Sequence, residues 1–296
     1  MKSSKSLYSE CFDEYKLDEP TLKSLQQELL KVFIDIKNVC DENNIDYMLS
    51  GGTCLGAIRH KGFIPWDDDI DIMMLRSEYE KFSKIFVEQY SEKYILAEPL
   101  KNKNYFNKIP KVYKKNTTYI EIPKAGIKEY NMVFIDIFII ENVPDSKFLR
   151  KITGKVYDFC FKGASACIDY LYPSPVIEEK CKENKELNDY YKLRKRIGWL
   201  FSHLGGIYFW LKRCDRIAGK KRKSKTLGIP SGISYEKEVF DESVYKELTT
   251  TEFCGYNVKI PAQYDKYLSN LYGDYMKIPP VEKREAHVAY KIELSE

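Results

Sequence analysis

The sequence lacks the features that mark membrane-spanning, secreted and zinc-binding chains. Its apolar run from Ile197 to Leu211 has 15 residues, whereas a helix needs about 20 to cross a bilayer. Residues 1–10 contain no apolar core of the kind that a secretory signal carries. The eight cysteines form no Cys-x-x-Cys pair and have no zinc-like spacing with the three histidines. We therefore expect a cytoplasmic protein with free thiols.

Net charge is also small, which limits the partners that the composition implies. The formal charge is +4, with 44% hydrophobic and 31% charged residues, a composition typical of a folded globular protein of one or two domains. Eight basic residues and one acid lie between Lys212 and Lys225, so the positive charge is local. We therefore expect no nucleic-acid partner.

What the sequence does contain is a dense group of acids, Asp67, Asp68, Asp69 and Asp71. Asp69 and Asp71 alternate with isoleucines, the period-two pattern of a half-buried strand, so both carboxylates should leave one face of a sheet. Acids held so close repel each other, and in a partly buried site they need a cation between them. Oxygen ligands select a hard ion, and Mg²⁺ is the expected cofactor, with Mn²⁺ as the alternative.

A glycine turn precedes these acids. Gly51, Gly52 and Thr53 follow a short apolar run and begin a helical pattern. A glycine pair lets the backbone approach a ligand closely, and the amides at a helix N-terminus attract anions. Arg59 and Lys61 lie just beyond, where cations could meet a pyrophosphate. Together with the acids, the turn predicts a site for phosphate and a metal ion.

A third acid lies in the apolar run from Met132 to Ile140, which is strongly strand-like. Burying an unpaired carboxylate is unfavourable, so Asp136 needs a partner. A helix cap or an arginine pair would supply one. The preferred interpretation is a third metal carboxylate on the strand beside Asp69 and Asp71.

Residues 101–122 are rich in lysine, and several of these lysines alternate with apolar side chains. One interpretation is a solvated edge strand, because lysines protect the edges of sheets. The alternative is that Lys108, Lys111 or Lys114 contacts a phosphate.

The string from Gly52 to Asp71, with Phe-Ile-Asp-Ile-Phe at 134–138 and a closing segment over 240–289, resembles the LicD family of phosphorylcholine transferases. The resemblance implies a nucleotidyltransferase-like fold of the α/β (α+β) class, a mixed sheet flanked by helices. It also implies transfer of phosphorylcholine, or a comparable phospho-substituent, from a CDP-linked donor to a sugar hydroxyl of a surface glycan or teichoic acid precursor. Asp69, Asp71 and Asp136 would then hold the metal and act in catalysis.

Other site residues follow from the same interpretation. Gly51, Gly52 and Thr53 would cradle phosphate through backbone amides, while Asp67 and Asp68 would lie beside the metal ligands or face the acceptor. Trp66 is the first candidate for holding a trimethylammonium group against an aromatic face, although a packing role is equally consistent. His287 is either an ordinary surface or core histidine or a group for phosphate contact and proton transfer.

The predicted organisation is a catalytic core over 1–149, a helical insertion over 150–235 and a returning catalytic segment over 236–296. Residues 197–225 combine aromatics with a basic exit. They either fill the core of an accessory helical layer or rest on an anionic membrane surface at the inner face of the cell membrane. A lipid-linked glycan acceptor would make the second position useful.

Three other functions share some of these features. A related enzyme could transfer the nucleotide itself to a small molecule. An RNA-acting nucleotidyltransferase could use the basic run. A glycan- or nucleotide-binding module without catalysis is disfavoured, because a binder has no need to maintain three repelling acids.

Overall fold

The computed structural model describes residues 11–218, 223–284 and 288–294, and a mixed sheet lies at the centre of the fold. The sheet has seven strands. They are β1 (Met48–Leu49), β2 (Asp71–Leu75), β3 (Tyr94–Ala97), β4 (Lys111–Lys114), β6 (Phe134–Asn142), β7 (Thr226–Gly228) and β8 (Val239–Asp241). The five main strands run in the order β1-β2-β6-β4-β3, and β7 and β8 continue from the end of β6.

Two strand pairs lie outside this sheet. They are β5 (Thr118–Glu121) with β11 (Ala289–Glu293), and β9 (Leu248–Phe253) with β10 (Tyr256–Pro261). The helices among the described residues are α1 (Glu19–Glu42), α2 (Gly51–His60), α3 (Arg76–Tyr90), α4 (Lys147–Leu171), α5 (Pro175–Glu183), α6 (Lys185–His203), α7 (Gly206–Ala218), α8 (Glu242–Lys246) and α9 (Tyr264–Tyr272). A mixed sheet with helices confirms the predicted α/β class.

β2 and β6 are parallel neighbours at the middle of the sheet. The other strand pairs of the sheet are antiparallel. The apolar run that predicted a strand over 132–140 forms β6, which is confirmed with a shift of about two residues. β2 begins at Asp71, so Asp69 lies in the chain just before the strand rather than on it. Ile72, Met73 and Met74 of β2 are buried in succession, because the strand is covered on both faces, so the predicted alternation does not continue after Asp71.

Helix α1 covers the sheet with an apolar face whose side chains recur at three- and four-residue spacing. Its first turn is capped by the Asp18 carboxylate, which accepts the Thr21 amide hydrogen bond at 2.9 Å. The buried side chains of this helix include Leu25, Leu29, Val32, Phe33 and Ile36. They join the main core, which lies between α1 and the central strands.

The predicted edge strand is wrong for the lysine-rich segment. β4 lies between β3 and β6 and pairs with both. Lys111 on this strand is buried and Lys114 pairs with Glu28 of α1, so neither lysine protects an exposed edge. The lysines instead neutralise acids on neighbouring elements.

Helices α4 and α7, with Phe201 of α6, form a cluster of their own built around Tyr157, Cys160, Trp210, Leu211 and Cys214. Helix α5 contributes Val176 and Ile177 to a separate cluster. This confirms the helical character expected between 150 and 235. α4 and α6 pack closely, because Gly198 lies against the Ala166 carbonyl group. Within the described ranges, no helix combines the length and the apolar character that crossing a membrane requires.

Candidate active site

Asp71 and Asp136 are register partners on the adjacent parallel strands β2 and β6. Register partners point to the same side of a sheet, so both carboxylates lie on one face. The Asp136 amide donates to the Ile70 carbonyl at 3.2 Å, which fixes the two strands at this level. The strand pairing thus brings Asp136 beside Asp71.

Three more acids lie just before β2. Asp67, Asp68 and Asp69 can place one carboxylate oxygen each within 4.8 Å of one another, and they are the group of three that meets this distance among the described residues. Asp68 is buried and accepts a hydrogen bond from the Tyr119 hydroxyl at 2.7 Å. The main-chain carbonyl of Asp67 accepts a hydrogen bond from the side-chain amide of Gln26 at 2.7 Å. Asp67 and Asp68 therefore belong to this acidic centre, whereas the predicted trio of Asp69, Asp71 and Asp136 does not itself meet this distance within the described residues.

The charge balance of this centre is visible at Asp71. Burial raises the pKa of the Asp71 carboxyl well above 3.8, and the charges of Asp69, Asp136 and Asp67 raise it further, while Lys111 acts in the opposite direction. The raised pKa means that an additional negative charge is unfavourable here. A bound cation would relieve that repulsion.

Lys111 supplies an internal cation. Its Nζ lies 2.8 Å from Oδ1 of Asp136 and 3.4 Å from the centre of the Phe134 ring. Burial by itself would lower the pKa of the Lys111 ammonium, but Asp136 and Glu121 outweigh burial and raise it. Lys111 is thus charged and offsets part of the acidity around Asp136.

A pocket opens beside this ion pair. Its polar lining consists of Asp68, Asp69, Lys111, Tyr119, Glu121 and Asp136. Burial acts to raise the pKa of Glu121, but Lys124 and Lys111 lower it to about 2. The pocket is therefore lined by ionised groups of both signs, which suits a charged ligand with bound metal.

The glycine turn lies at the start of α2, as predicted. Gly51 has a φ of +47°, a left-handed conformation that glycine adopts without strain. Its amide donates to the Tyr267 hydroxyl at 3.1 Å, and that hydroxyl donates to Glu238 at 2.9 Å. Thr53 accepts the Asp71 amide through its side-chain oxygen at 2.8 Å, so it fixes the start of β2.

Gly52 faces the acids directly. A Cβ atom at this position would lie 3.0 Å from Oδ2 of Asp67. The Asp67 carboxylate therefore sits against the positive end of helix α2, the position where the sequence predicted a phosphate. A phosphate that binds there must displace the Asp67 carboxylate or share the helix amides with it.

Arg59 and Lys61, the two cations predicted to meet a phosphate, lie at the other end of α2 from the glycine turn. The helix has ten residues, which corresponds to roughly 15 Å. Arg59 donates to the Tyr275 carbonyl at 2.7 Å and to His60 at 2.9 Å, and Lys61 is exposed. The structure does not bring them to the glycine turn.

Trp66 already faces a cation of the protein. The guanidinium carbon of Arg284 lies 4.1 Å from the centre of the Trp66 ring, and the His60 ring meets Trp66 edge-on at 6.4 Å. Trp66 is half-buried. An aromatic face beside the acids can hold a positive group, as the trimethylammonium hypothesis requires.

The remaining predicted residues are placed differently. Lys108 donates to the Gly232 carbonyl at 3.1 Å, stacks 4.6 Å from the Phe161 ring centre and lines another pocket, with Arg76 and Glu141. His287 lies outside the described residues.

Sequence reasoning missed four polar side chains of the site, Tyr119, Glu121, Glu238 and Tyr267. The tyrosines occur in a β-rich run and at an apolar helix position, where both are typical packing residues. Only their hydroxyl partners, which are distant in sequence, show that they orient Asp68 and Gly51.

Comparison with known proteins identifies relatives of this chain. Residues 44–166 match the family described as LicD/FKTN/FKRP, nucleotidyltransferase domain. The chain is 31% identical over 271 residues to the lipopolysaccharide cholinephosphotransferase LicD of Haemophilus influenzae, an alignment that covers 90% of this chain and 96% of that protein. An uncharacterised protein of Rickettsia typhi is 41% identical over 71 residues, 24% of this chain and 22% of its own length.

Proposed function

The chain belongs to the LicD family, and we propose that it is a metal-dependent phosphotransferase that acts on a sugar hydroxyl. The transferred group would be phosphorylcholine or a similar phospho-substituent, carried by a CDP-activated donor. The acceptor would be a cell-surface glycan such as lipopolysaccharide or a teichoic acid precursor, lipid-linked at the inner face of the cell membrane. Likeness to a cholinephosphotransferase along nearly its whole length supports this substrate class.

The observation that carries the proposal is the in-register pair Asp71 and Asp136 beside Asp67–Asp69. Carboxylate oxygens are the ligands that Mg²⁺ prefers, and an excess of buried negative charge fits a divalent cation. Asp69, Asp71 and Asp136 would hold it, with Mn²⁺ as the alternative. When bound, such a cation supplies charge neutralisation at the donor phosphates.

The chain's own groups would position the reactants. The amides of Gly52 and Thr53 at the start of α2 would favour an anionic phosphate once the Asp67 carboxylate moves away from this helix end, since the Gly51 amide already donates to Tyr267. Lys111 would compensate charge on the donor from the floor of the pocket. One carboxylate of the site would accept the proton of the sugar hydroxyl.

The proposed reaction breaks one bond and forms one. The sugar hydroxyl oxygen attacks the phosphorus of the phosphorylcholine group and its proton passes to a carboxylate. The bond from that phosphorus to the bridging oxygen breaks, and CMP leaves with that oxygen. This in-line displacement needs positioning and charge compensation more than covalent chemistry.

Product analysis tests the proposal. The purified protein is incubated with CDP-choline, CDP-ethanolamine or CDP-ribitol, a glycolipid extract and Mg²⁺, with and without EDTA. We expect release of CMP from one donor, abolished by EDTA and reduced at least about 100-fold in Asp136→Asn, a loss of roughly 2.7 kcal/mol of transition-state stabilisation. A product carrying CMP, with release of phosphorylcholine, would instead identify a nucleotidyltransferase.

A further inference from the structure

Helix α4 carries a strip of exposed apolar side chains along its first half. Their exposed fractions run from 45% to 72%. They are Phe148, Leu149, Ile152, Val156 and Phe159. The spacing places them on one face of the helix, away from the buried Gly154 and Tyr157. A strip of this size on the outside of a protein marks an interaction surface.

The strip continues onto α6 and α7 through aromatic contacts. The Phe159 ring lies 5.4 Å from Phe201 and 5.9 Å from Trp210, and Trp210 lies 5.0 Å from the exposed Phe209. Trp199 is exposed near the end of α6. Exposed apolar side chains therefore lie on three helices that meet at the buried Trp210. Those on α4 lie outside residues 197–225, for which a membrane surface was one of two interpretations of the sequence.

Cations border this apolar face. Lys151, Lys155 and Lys162 are exposed on α4, and their helical positions place them along one edge of the strip. Lys212, Arg213 and Arg216 are exposed on α7. The Arg213 guanidinium lies 4.5 Å from the centre of the Phe209 ring, so charge and aromatic surface meet directly.

The lysines and arginines that border this apolar face indicate what binds to it. Docking a second copy of the chain through the same face would bring these lysines and arginines against each other, which is unfavourable. An anionic bilayer satisfies both parts of the surface, since its headgroups attract the cations and its interface accepts aliphatic and aromatic side chains. A spanning segment is not needed for such binding.

We propose that the first half of α4, with the exposed ends of α6 and α7, binds the surface of a bilayer rich in anionic lipid. The inference rests on exposed side chains and charge, and it stands independently of the proposed transfer reaction. Membrane binding and CMP release can therefore fail separately.

Vesicle sedimentation tests the proposal with the full-length protein. Phosphatidylcholine vesicles are compared with vesicles that contain one-quarter phosphatidylglycerol. We expect sedimentation with the anionic vesicles only. Phe148→Asn combined with Ile152→Asn, and separately Lys151→Glu combined with Lys155→Glu, should each weaken partitioning at least about tenfold.

Matched controls change the same residue types elsewhere. Ile233→Asn replaces an isoleucine that is 69% exposed outside this face, and Lys84→Glu with Lys266→Glu reverses two exposed lysines on other helices. Circular dichroism checks that each variant folds, and Phe148→Asn alone serves if the double variant does not.

Two outcomes would overturn the proposal. One is equal sedimentation of the parent protein, the α4 variants and the controls. The other is a concentration-dependent dimer in analytical ultracentrifugation that only the α4 variants abolish, which would assign the face to a second copy.

Discussion

Lys111 and Asp136 form an ion pair across the adjacent strands β4 and β6, with 2.8 Å between Nζ and Oδ1. Lys111 is buried, so this cation belongs to the pocket before any ligand binds. It therefore balances part of the acid charge and competes with a divalent cation for Asp136. The Mg²⁺ concentration that the protein requires should therefore depend on the charge of Lys111.

Lys111→Met should separate these effects. Loss of the ammonium makes the site more negative, so the Mg²⁺ concentration for half-maximal CMP release should fall roughly tenfold. The KM for the donor should rise if Lys111 contacts phosphate. The metal-free protein should lose about 3 kcal/mol of stability, because one partner of a buried ion pair is removed.

Lys114→Met is the matched control for this change. Lys114 lies on the same strand and pairs with Glu28 of α1. The Lys114→Met substitution should lower the melting temperature and leave the Mg²⁺ requirement unaltered. An equal shift of the Mg²⁺ requirement in both variants would contradict a specific role for Lys111.

Asp71→Asn should stabilise the metal-free protein, and more so at neutral than at acidic pH. An acid with a raised pKa holds its proton more tightly in the folded state. Stability therefore falls as pH rises above the ordinary value of 3.8 until it passes the folded pKa. Asparagine removes this loss, so the gain in melting temperature should be larger at pH 7 than at pH 4.

Thermal melts in EDTA at both pH values measure this difference. Asp189→Asn, at an exposed position of α6, provides the control and should leave the pH dependence unchanged. A gain for Asp71→Asn that is the same at both pH values would argue against charge repulsion as its cause.

Tyr267→Phe should lower turnover through the position of Gly51. The hydroxyl accepts the Gly51 amide at 3.1 Å and donates to Glu238 at 2.9 Å. Without it, the glycine turn loses an anchor, and we expect kcat to fall about 10- to 100-fold, as for other residues that orient a site indirectly. KM for the donor should change less.

Tyr245→Phe is the control, because that hydroxyl donates to the Glu238 carbonyl at 2.7 Å and has no bond to Gly51. Both variants should lose about 1 kcal/mol of stability. If kcat falls equally in both, the effect of Tyr267 is structural and general rather than directed to the turn.

These residues also show which features of the fold local sequence patterns can predict and which they cannot. Alternation and an apolar run predicted strands at Asp71 and Asp136, since both patterns follow from the strand itself. That the two strands are neighbours was inferred from the need of a buried acid for a partner and from the family resemblance, and the structure pairs them. The surroundings of β4 could not be predicted in this way. Whether a strand lies at an edge depends on its partners, and β4 pairs with β6 from a later part of the chain.

The same limit applies to the orienting tyrosines. Tyr267 and Gly51 are 216 residues apart in sequence, and Tyr119 and Asp68 are 51 apart. A hydrogen bond across such a distance leaves no periodic signal, and a tyrosine in an apolar pattern predicts packing. The role of each hydroxyl became apparent only from the folded chain.

Gly198→Ala should destabilise the helical layer without changing the acidic site. A Cβ atom at Gly198 would overlap the Ala166 carbonyl oxygen, so α4 and α6 would have to separate. Overpacking of this kind costs about 1 to 3 kcal/mol. Denaturant unfolding measures the loss, and Lys192→Ala, at an exposed position of the same helix, should change stability by less than about 0.5 kcal/mol. Equal stability of the two variants would show that the helices can adjust.

Trp66→Leu tests whether the Trp66 ring recognises the transferred group. The Arg284 guanidinium lies 4.1 Å from the ring centre, so this face accepts a cation in the protein itself. If a trimethylammonium group binds there, loss of the ring should raise KM for CDP-choline by about 2- to 30-fold. KM for CDP-ribitol, whose substituent carries no positive charge, should stay unchanged.

Arg284→Gln completes the test, because it removes the competing cation and leaves the ring. Competition for one aromatic face predicts a lower KM for CDP-choline in this variant and no change for CDP-ribitol. Steady-state CMP release with each donor supplies both values. A rise in KM for both donors in Trp66→Leu would make Trp66 a packing residue. A rise for both in Arg284→Gln would make Arg284 a contact to the phosphates that the two donors share.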